Sequence, residues 1–151
     1  MNLAQKSLRL AHTSQDHQAL VQAHNILGIL ERSQGNLDAA AGHLKESLQL
    51  AETLGDLRLQ AAALNNLALI QAALNDNGAA IRLADQALEL CLRQGDRHRA
   101  AALHNNLADF FHARGDQESA MQHLKQAASM FSEIGVDDQA SRPEIWKLTE
   151  W

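Results

Sequence analysis

The sequence predicts an all-α fold in which a pair of helices repeats along the chain, and three observations carry that reading. Helix formers dominate, with 27 alanines and 25 leucines against only 11 valines, isoleucines and threonines, a balance that favours helix and starves a sheet of β-branched residues. The chain has a period of 40: residues 15–54, 55–94 and 95–134 align without a gap, and the second and third blocks agree at 13 of 40 positions. Turn residues recur at two fixed places in every block, while the one proline, Pro143, lies near the end.

The elements follow in order. Residues 4–16 match residues 44–56 at six of 13 positions, so residues 1–14 open the chain as the second helix of a pair whose first helix is absent. Its apolar face, carrying Ala4, Leu8 and Ala11, would then need cover from another copy, a partner or further residues of a longer array, because one repeat cannot bury its face alone. We expect the last of these, the chain being a piece of such an array. Asp16, Asp56 and Asp96 stand where a first helix needs an N-cap. Gly35-Asn36, Asn75-Asp76 and Gly115-Asp116 mark the mid-block turn, with Asn75 the residue most able to replace glycine at positive φ. Gly55, Gly95 and Gly135 stand where each second helix ends in a left-handed turn. Each block is therefore helix, tight turn, helix, with about 17 residues or roughly 25 Å per helix. Small residues recur at Gly28, Ala68 and Ala108, at Ala40, Ala80 and Ala120, and at Ser47, Ala87 and Ala127, where they let helices approach while Leu27, Leu67 and Leu107 fill the space between. After Gly135 the tail abandons the repeat, and Pro143, Ile145, Trp146, Leu148 and Trp151 suit a short capping helix over residues 135–151.

Over residues 15–134 this pattern resembles the tetratricopeptide repeat. The matching pieces are "NLA" or "ILG" in the first helix, Gly-Asp or a variant at the turn, and the alanine that opens the second helix. Two departures stand out: the period is 40 where about 34 is common, and glycine replaces the proline that often follows the second helix. Longer helices accommodate the first and a glycine C-cap the second. The resemblance implies one domain, residues 1–151, built as a right-handed α-solenoid of antiparallel helix pairs, with three full repeats, an N-terminal half repeat and a C-terminal cap. It also implies a concave groove lined by the first helices. The tail "PEIWKLTEW" resembles the ends of some large bacterial repeat-containing proteins and regulators, which suggests a natural C-terminus.

Two columns of asparagines mark the groove. Asn25, Asn65 and Asn105 occur in all three blocks, and Asn66 and Asn106 follow in two, with Ile26 breaking the series. Asparagine is a poor residue for a helix interior, so its repetition needs a cause. An amide both donates and accepts, and amides at one-repeat intervals can pair with an extended chain of any sequence. We expect Asn25, Asn65 and Asn105 to hold the stacking of repeats. Asn66 and Asn106, just before the Leu-Ala pair, match a place where the family puts ligand-contacting side chains. Further along the first helices come Ile29, Leu69 and Asp109, then Arg32, Ala72 and His112. The expected binding set is thus Asn66, Asn106, Asp109, His112, Arg32 and Leu69 beside the three scaffold asparagines. With Arg32 standing alone as a cation, no clamp for a carboxylate terminus is expected.

Other classes of function find little support. A net charge of −5 with no dense basic or acidic block disfavours direct nucleic-acid binding. No apolar run is long enough for a signal peptide or a membrane span. The single Cys91 lies in an apolar stretch and reads as a buried, inert thiol, consistent with a reducing, cytoplasmic setting. Eight histidines include no pair at i and i+4, so they read as scattered surface residues rather than metal ligands. Nucleophile elbows and phosphate loops are absent. We therefore expect a non-catalytic, cofactor-free scaffold for a protein or peptide segment, in the context of a larger bacterial regulatory protein such as a transcription regulator. The alternative is a structural module that self-associates through Ala4, Leu8, Ala11 and the C-terminal cap.

Overall fold

A computed structural model describes residues 3–14 and 16–134, so the expected cap at residues 135–151 lies outside the described residues. Seven α-helices and no strand occur among them: α1 Leu3–Ser14, α2 His17–Ser33, α3 Leu37–Leu54, α4 Leu57–Ala73, α5 Asn77–Arg93, α6 Arg97–Ala113 and α7 Gln117–Ile134. Two helices fall in each 40-residue block, and each helix packs mainly on its neighbours in sequence. The result is an α-solenoid of about three helix pairs preceded by a lone helix.

Local chemistry sets the boundaries. The carboxylates of Asp16, Asp56 and Asp96 accept from Ala19, Leu59 and Arg99 N–H at 3.0, 3.1 and 3.1 Å, satisfying donors that have no partner inside the helix. Asp76 and Asp116 do the same for the second helices α5 and α7. Asn36 does not cap α3 in this way and instead donates its amide to Glu31 at 2.8 Å. Asn75 takes φ 62°, the left-handed conformation that Gly35 and Gly115 take in the other blocks at 84° and 83°.

Burial follows the register. Ala40, Ala80 and Ala120, and Ser47, Ala87 and Ala127, are all fully buried, while Leu27, Leu67 and Leu107 are at most 4% exposed. Gly28 shows why small residues are needed: a Cβ there would lie 2.5 Å from Leu44 Cγ and 3.2 Å from the Ala40 carbonyl oxygen. Ser47, at the register of two alanines, donates its hydroxyl to the Val21 carbonyl at 2.9 Å, so its burial leaves no donor unpaired.

The first helix corrects one expectation. Ala11 is buried and Ala4 and Leu8 are half-buried in an α1 that packs on α2, so these three do not form the open face. The open face carries Leu3 and Leu10, 83% and 61% exposed. Forty residues on, their equivalents His43 and Leu50 are half-buried in a complete helix pair. Ala4, Leu8 and Ala11 lie instead on the less exposed side of α1, which packs on α2.

Candidate functional site on the first helices

The asparagines sit mid-helix on α2, α4 and α6, and all five are half-buried. Asn66 donates its Nδ2 to Asn25 Oδ1 at 2.9 Å, and Asn106 donates to Asn65 Oδ1 at 2.8 Å. Each rung joins residues 41 apart, one period plus one residue. The expected division between scaffold and ligand columns is therefore corrected: Asn66 and Asn106 are the donors of the bonds in which Asn25 and Asn65 are acceptors. Asn25, Asn65, Asn66 and Asn106 thus join the first helices of successive repeats, and neither rung involves Asn105. Ile26, at the register of the two donors, is 50% exposed, and no first helix precedes α2 among the described residues.

The rungs do not exhaust these amides. A primary amide offers two N–H donors and two lone pairs, and each bond uses one donor on one side and one lone pair on the other. The rung biases the orientation of the remaining capacity, because turning a bonded amide loses about 0.5–1.5 kcal/mol.

Beside the second rung lies a cleft of about 160 Å³ lined by Ala61, Ala62, Asn65, Asn66, Cys91, Arg99, Ala102 and Leu103. Small side chains on α4 and α6 open it. Its volume suits a single side chain or a short stretch of backbone, being well below the roughly 300–1,000 Å³ of a small-molecule pocket. Arg99 sets its charge: Nε lies 3.5 Å from Asp96 Oδ2, and Nη1 donates to the Arg58 carbonyl at 3.4 Å. Sequence reasoning missed Arg99, since Ala19 and Leu59 occupy its register in the other blocks and no repeat signal marks it. Cys91 is 1% exposed, and burial, then the Asp96 charge, pushes its thiol pKa up. That is the inert thiol expected from sequence.

The remaining expected residues are more dispersed. Ile29 is 37% exposed, whereas Leu69 is half-buried against the core of the second and third repeats. Asp109 and His112 are half-buried and both engaged within the chain, His112 through Gln117 Oε1 at 3.3 Å. Arg32 is half-buried, and its Nε is shielded from solvent without a hydrogen-bond partner. The structure thus brings Asn65 and Asn66 to one cleft and leaves Asp109, His112 and Arg32 outside its lining.

The histidines also depart from expectation. His24 meets His43 between α2 and α3, with Nδ1 atoms 3.1 Å apart, and His104 meets His123 between α6 and α7 at 2.8 Å. Burial lowers the pKa of His24, and the neighbouring His43 lowers it further. Burial and His123 push His104 down to about 4. Four of the eight are therefore interface residues rather than scattered surface ones.

Two family models described as tetratricopeptide repeat match the chain, one over residues 59–133 and one over residues 23–56. The chain belongs to the tetratricopeptide-repeat family. Solved structures agree on the fold. The chain is similar to BtubC (BKLC) from P. vanneervenii, with 18% identity and a TM-score of 0.76, over 90% of this chain and 57% of that one. It thus spans little more than half of that protein. It is also similar to the tetratricopeptide-repeat domain of Arabidopsis FLU, with 17% identity and a TM-score of 0.73, over 78% of this chain and 98% of that one. No curated protein sequence matches significantly. Tetratricopeptide repeats generally mediate protein–protein interaction, and typically without catalysis. No helix among the described residues is long and apolar enough to cross a membrane.

Proposed function

We propose that this chain is a non-catalytic binding module that takes an extended peptide or protein segment across its first helices, as the interaction or sensor arm of a larger bacterial regulatory protein in the cytoplasm. The observation that carries this reading is the second asparagine rung beside its cleft. Asn65 and Asn66 line a space of about 160 Å³ next to a guanidinium, with amide capacity beyond what the rungs consume. Such a place can hold a ligand's main chain through the amides while the cleft accepts one of its side chains. Asn106, Asp109, His112, Leu69, Arg32, Asn25 and Asn105 would extend contact along the stack.

The test is selection of binders from a random-sequence peptide display library, followed by Ala62→Gln and Ala102→Gln variants. Gln22 already stands at that register in α2, exposed to solvent, so the substitutions should fill the cleft and spare the fold. Selected peptides should lose affinity by about tenfold or more, the equivalent of about 1.4 kcal/mol. Peptides that bind both variants as tightly as the parent would remove the cleft from the proposal.

A second reading is self-association, favoured by one observation: Leu3 and Leu10 are strongly exposed on the open side of α1. Sedimentation of the parent and of a Leu3→Asp, Leu10→Asp variant decides it, since only an association through this face would weaken.

A further inference from the structure

Two of the three helix pairs enclose a histidine pair at the same register. His24 and His43 are 19 residues apart, as are His104 and His123, and the middle repeat places Leu64 and Leu83 at these positions. The fold thus accepts an apolar pair at this register. In each pair the Nδ1 atoms face one another, at 3.1 Å in the first repeat and 2.8 Å in the third.

That separation is a hydrogen bond when one ring carries its proton on Nδ1. It is also the bite of a metal ion. With metal–nitrogen bonds of about 2.0–2.1 Å, two nitrogens on one ion lie about 2.9 Å apart at a right angle and about 3.3 Å apart at the tetrahedral angle. The first pair, at 3.1 Å, falls between these limits.

Surroundings favour the first pair over the third. His12 of α1 stands edge-on to His24, with ring centroids 6.4 Å apart, and is exposed. Glu46, three residues and so one turn beyond His43 on α3, is exposed and acts electrostatically on His24. The third pair is closed in, with His104 8% exposed and Phe111 stacked on His123. No three His, Cys, Asp or Glu groups stand as a finished ligand set among the described residues. Further ligands must therefore swing in, and exposed side chains have the freedom to do so.

We propose that His24 and His43 are the fixed half of a site for a late first-row divalent cation, completed by His12, Glu46 or water. Imidazole nitrogen suits zinc, copper and nickel and does not suit magnesium or calcium. On binding, the ring protonated at Nδ1 takes the Nε2 tautomer, so both lone pairs face the ion and no net proton leaves the pair. The ion would tie α2 to α3, and α1 to both when His12 joins. This site is independent of the peptide-binding reading, which uses other residues.

The experiment is zinc titration of the tag-free chain by calorimetry, with cobalt absorption reporting nitrogen coordination and thermal unfolding reporting linkage. One zinc equivalent should bind and raise Tm, since a ligand of the folded state stabilises it. His24→Leu with His43→Leu copies the middle repeat, so it should fold. Its zinc affinity should drop by about tenfold or more, because loss of even an outer-shell partner costs that much at metal sites. His104→Leu with His123→Leu should bind zinc as the parent does, and magnesium should have no effect. The proposal is overturned if the parent binds no zinc, if the first double variant binds it undiminished, or if only the third-repeat variant loses it.

Discussion

Mild acid should weaken this fold through one histidine above all. His104 is 8% exposed between α6 and α7, and burial, reinforced by the charge of His123, holds its pKa at about 4 against 6.5 in an open chain. Above pH 6.5 the ring is neutral folded and unfolded, and it costs nothing. Between 6.5 and about 4 the unfolded chain takes up a proton that the fold refuses, so stability falls as pH falls. The full window is worth about 3 kcal/mol, and about 2 kcal/mol of it is spent by pH 5. A domain of this size has about 5–15 kcal/mol in total, so the loss is large. His24 and His123 are shifted the same way by burial, with Asp85 opposing the shift at His123. Urea unfolding followed by far-ultraviolet circular dichroism, at about pH 7.5 and about pH 5, gives the two stabilities. His104→Leu with His123→Leu puts the Leu64 and Leu83 arrangement in the third repeat. That variant should lose less stability between the two pH values, by about 2 kcal/mol. If variant and parent decline in parallel, the enclosed pair is not the source of the acid sensitivity and the reasoning fails.

Three further outcomes are expected. Gly28→Ala would place a Cβ 2.5 Å from Leu44 Cγ in a fully buried contact; despite alanine's better helix propensity, overpacking should cost a net loss of about 1–3 kcal/mol by urea midpoint. Asp56→Ala removes the acceptor for the Arg58 and Leu59 N–H groups and should lower stability by about 1 kcal/mol, seen as a lower Tm. Asn66→Ala with Asn106→Ala removes both rung donors and should lower stability by about 1–2 kcal/mol in sum, whereas an unchanged or higher Tm would show that the rungs do not hold the stack.

Much of the scaffold was legible because its signals are local or strictly periodic. A capping aspartate works on the next few N–H groups, and a left-handed turn depends on the residue in it, so Asp16, Asp56, Gly55 and Asn75 could be read from short windows. The small residues at Ala40, Ala80 and Ala120 were legible because the same helix–helix approach recurs every 40 residues. The histidine pairs were not, because each joins two helices across 19 residues and is interrupted in the middle repeat. Search by i and i+4 spacing looks along one helix and misses partners on the next. Arg99 was illegible for the opposite reason: it breaks the repeat, and its importance comes from the space left by Ala62 and Ala102 on two helices. The open face of α1 was misassigned because Leu8 and Ala11 are apolar on one side and Leu3 and Leu10 on another, and only packing on α2 separates them.

The asparagine pair was noticed in the sequence and misread in detail, and its geometry accounts for why two adjacent residues are needed. Neighbouring residues on a helix point about 100° apart. On α4, Asn66 reaches back to Asn25 while Asn65 receives Asn106 from the repeat ahead. One residue of the pair thus serves each neighbouring first helix, and the separation of 41 follows from a period of 40 plus that one-residue step. A helix flanked on both sides therefore needs both amides, at a helix-propensity cost of a few tenths of a kcal/mol per residue that a hydrogen bond of about 0.5–1.5 kcal/mol offsets. On α2 the backward-facing position is Ile26, 50% exposed, while Asn25 holds the forward one and accepts from Asn66. The rungs are also what orients the amides beside the cleft, so in this fold the device that sets the spacing of repeats and the device that would hold a ligand's main chain are one set of side chains. Weakening a rung should then loosen binding through misplacement even where no ligand atom is touched, which is why Ala62→Gln and Ala102→Gln, rather than any asparagine substitution, are the variants that test the cleft.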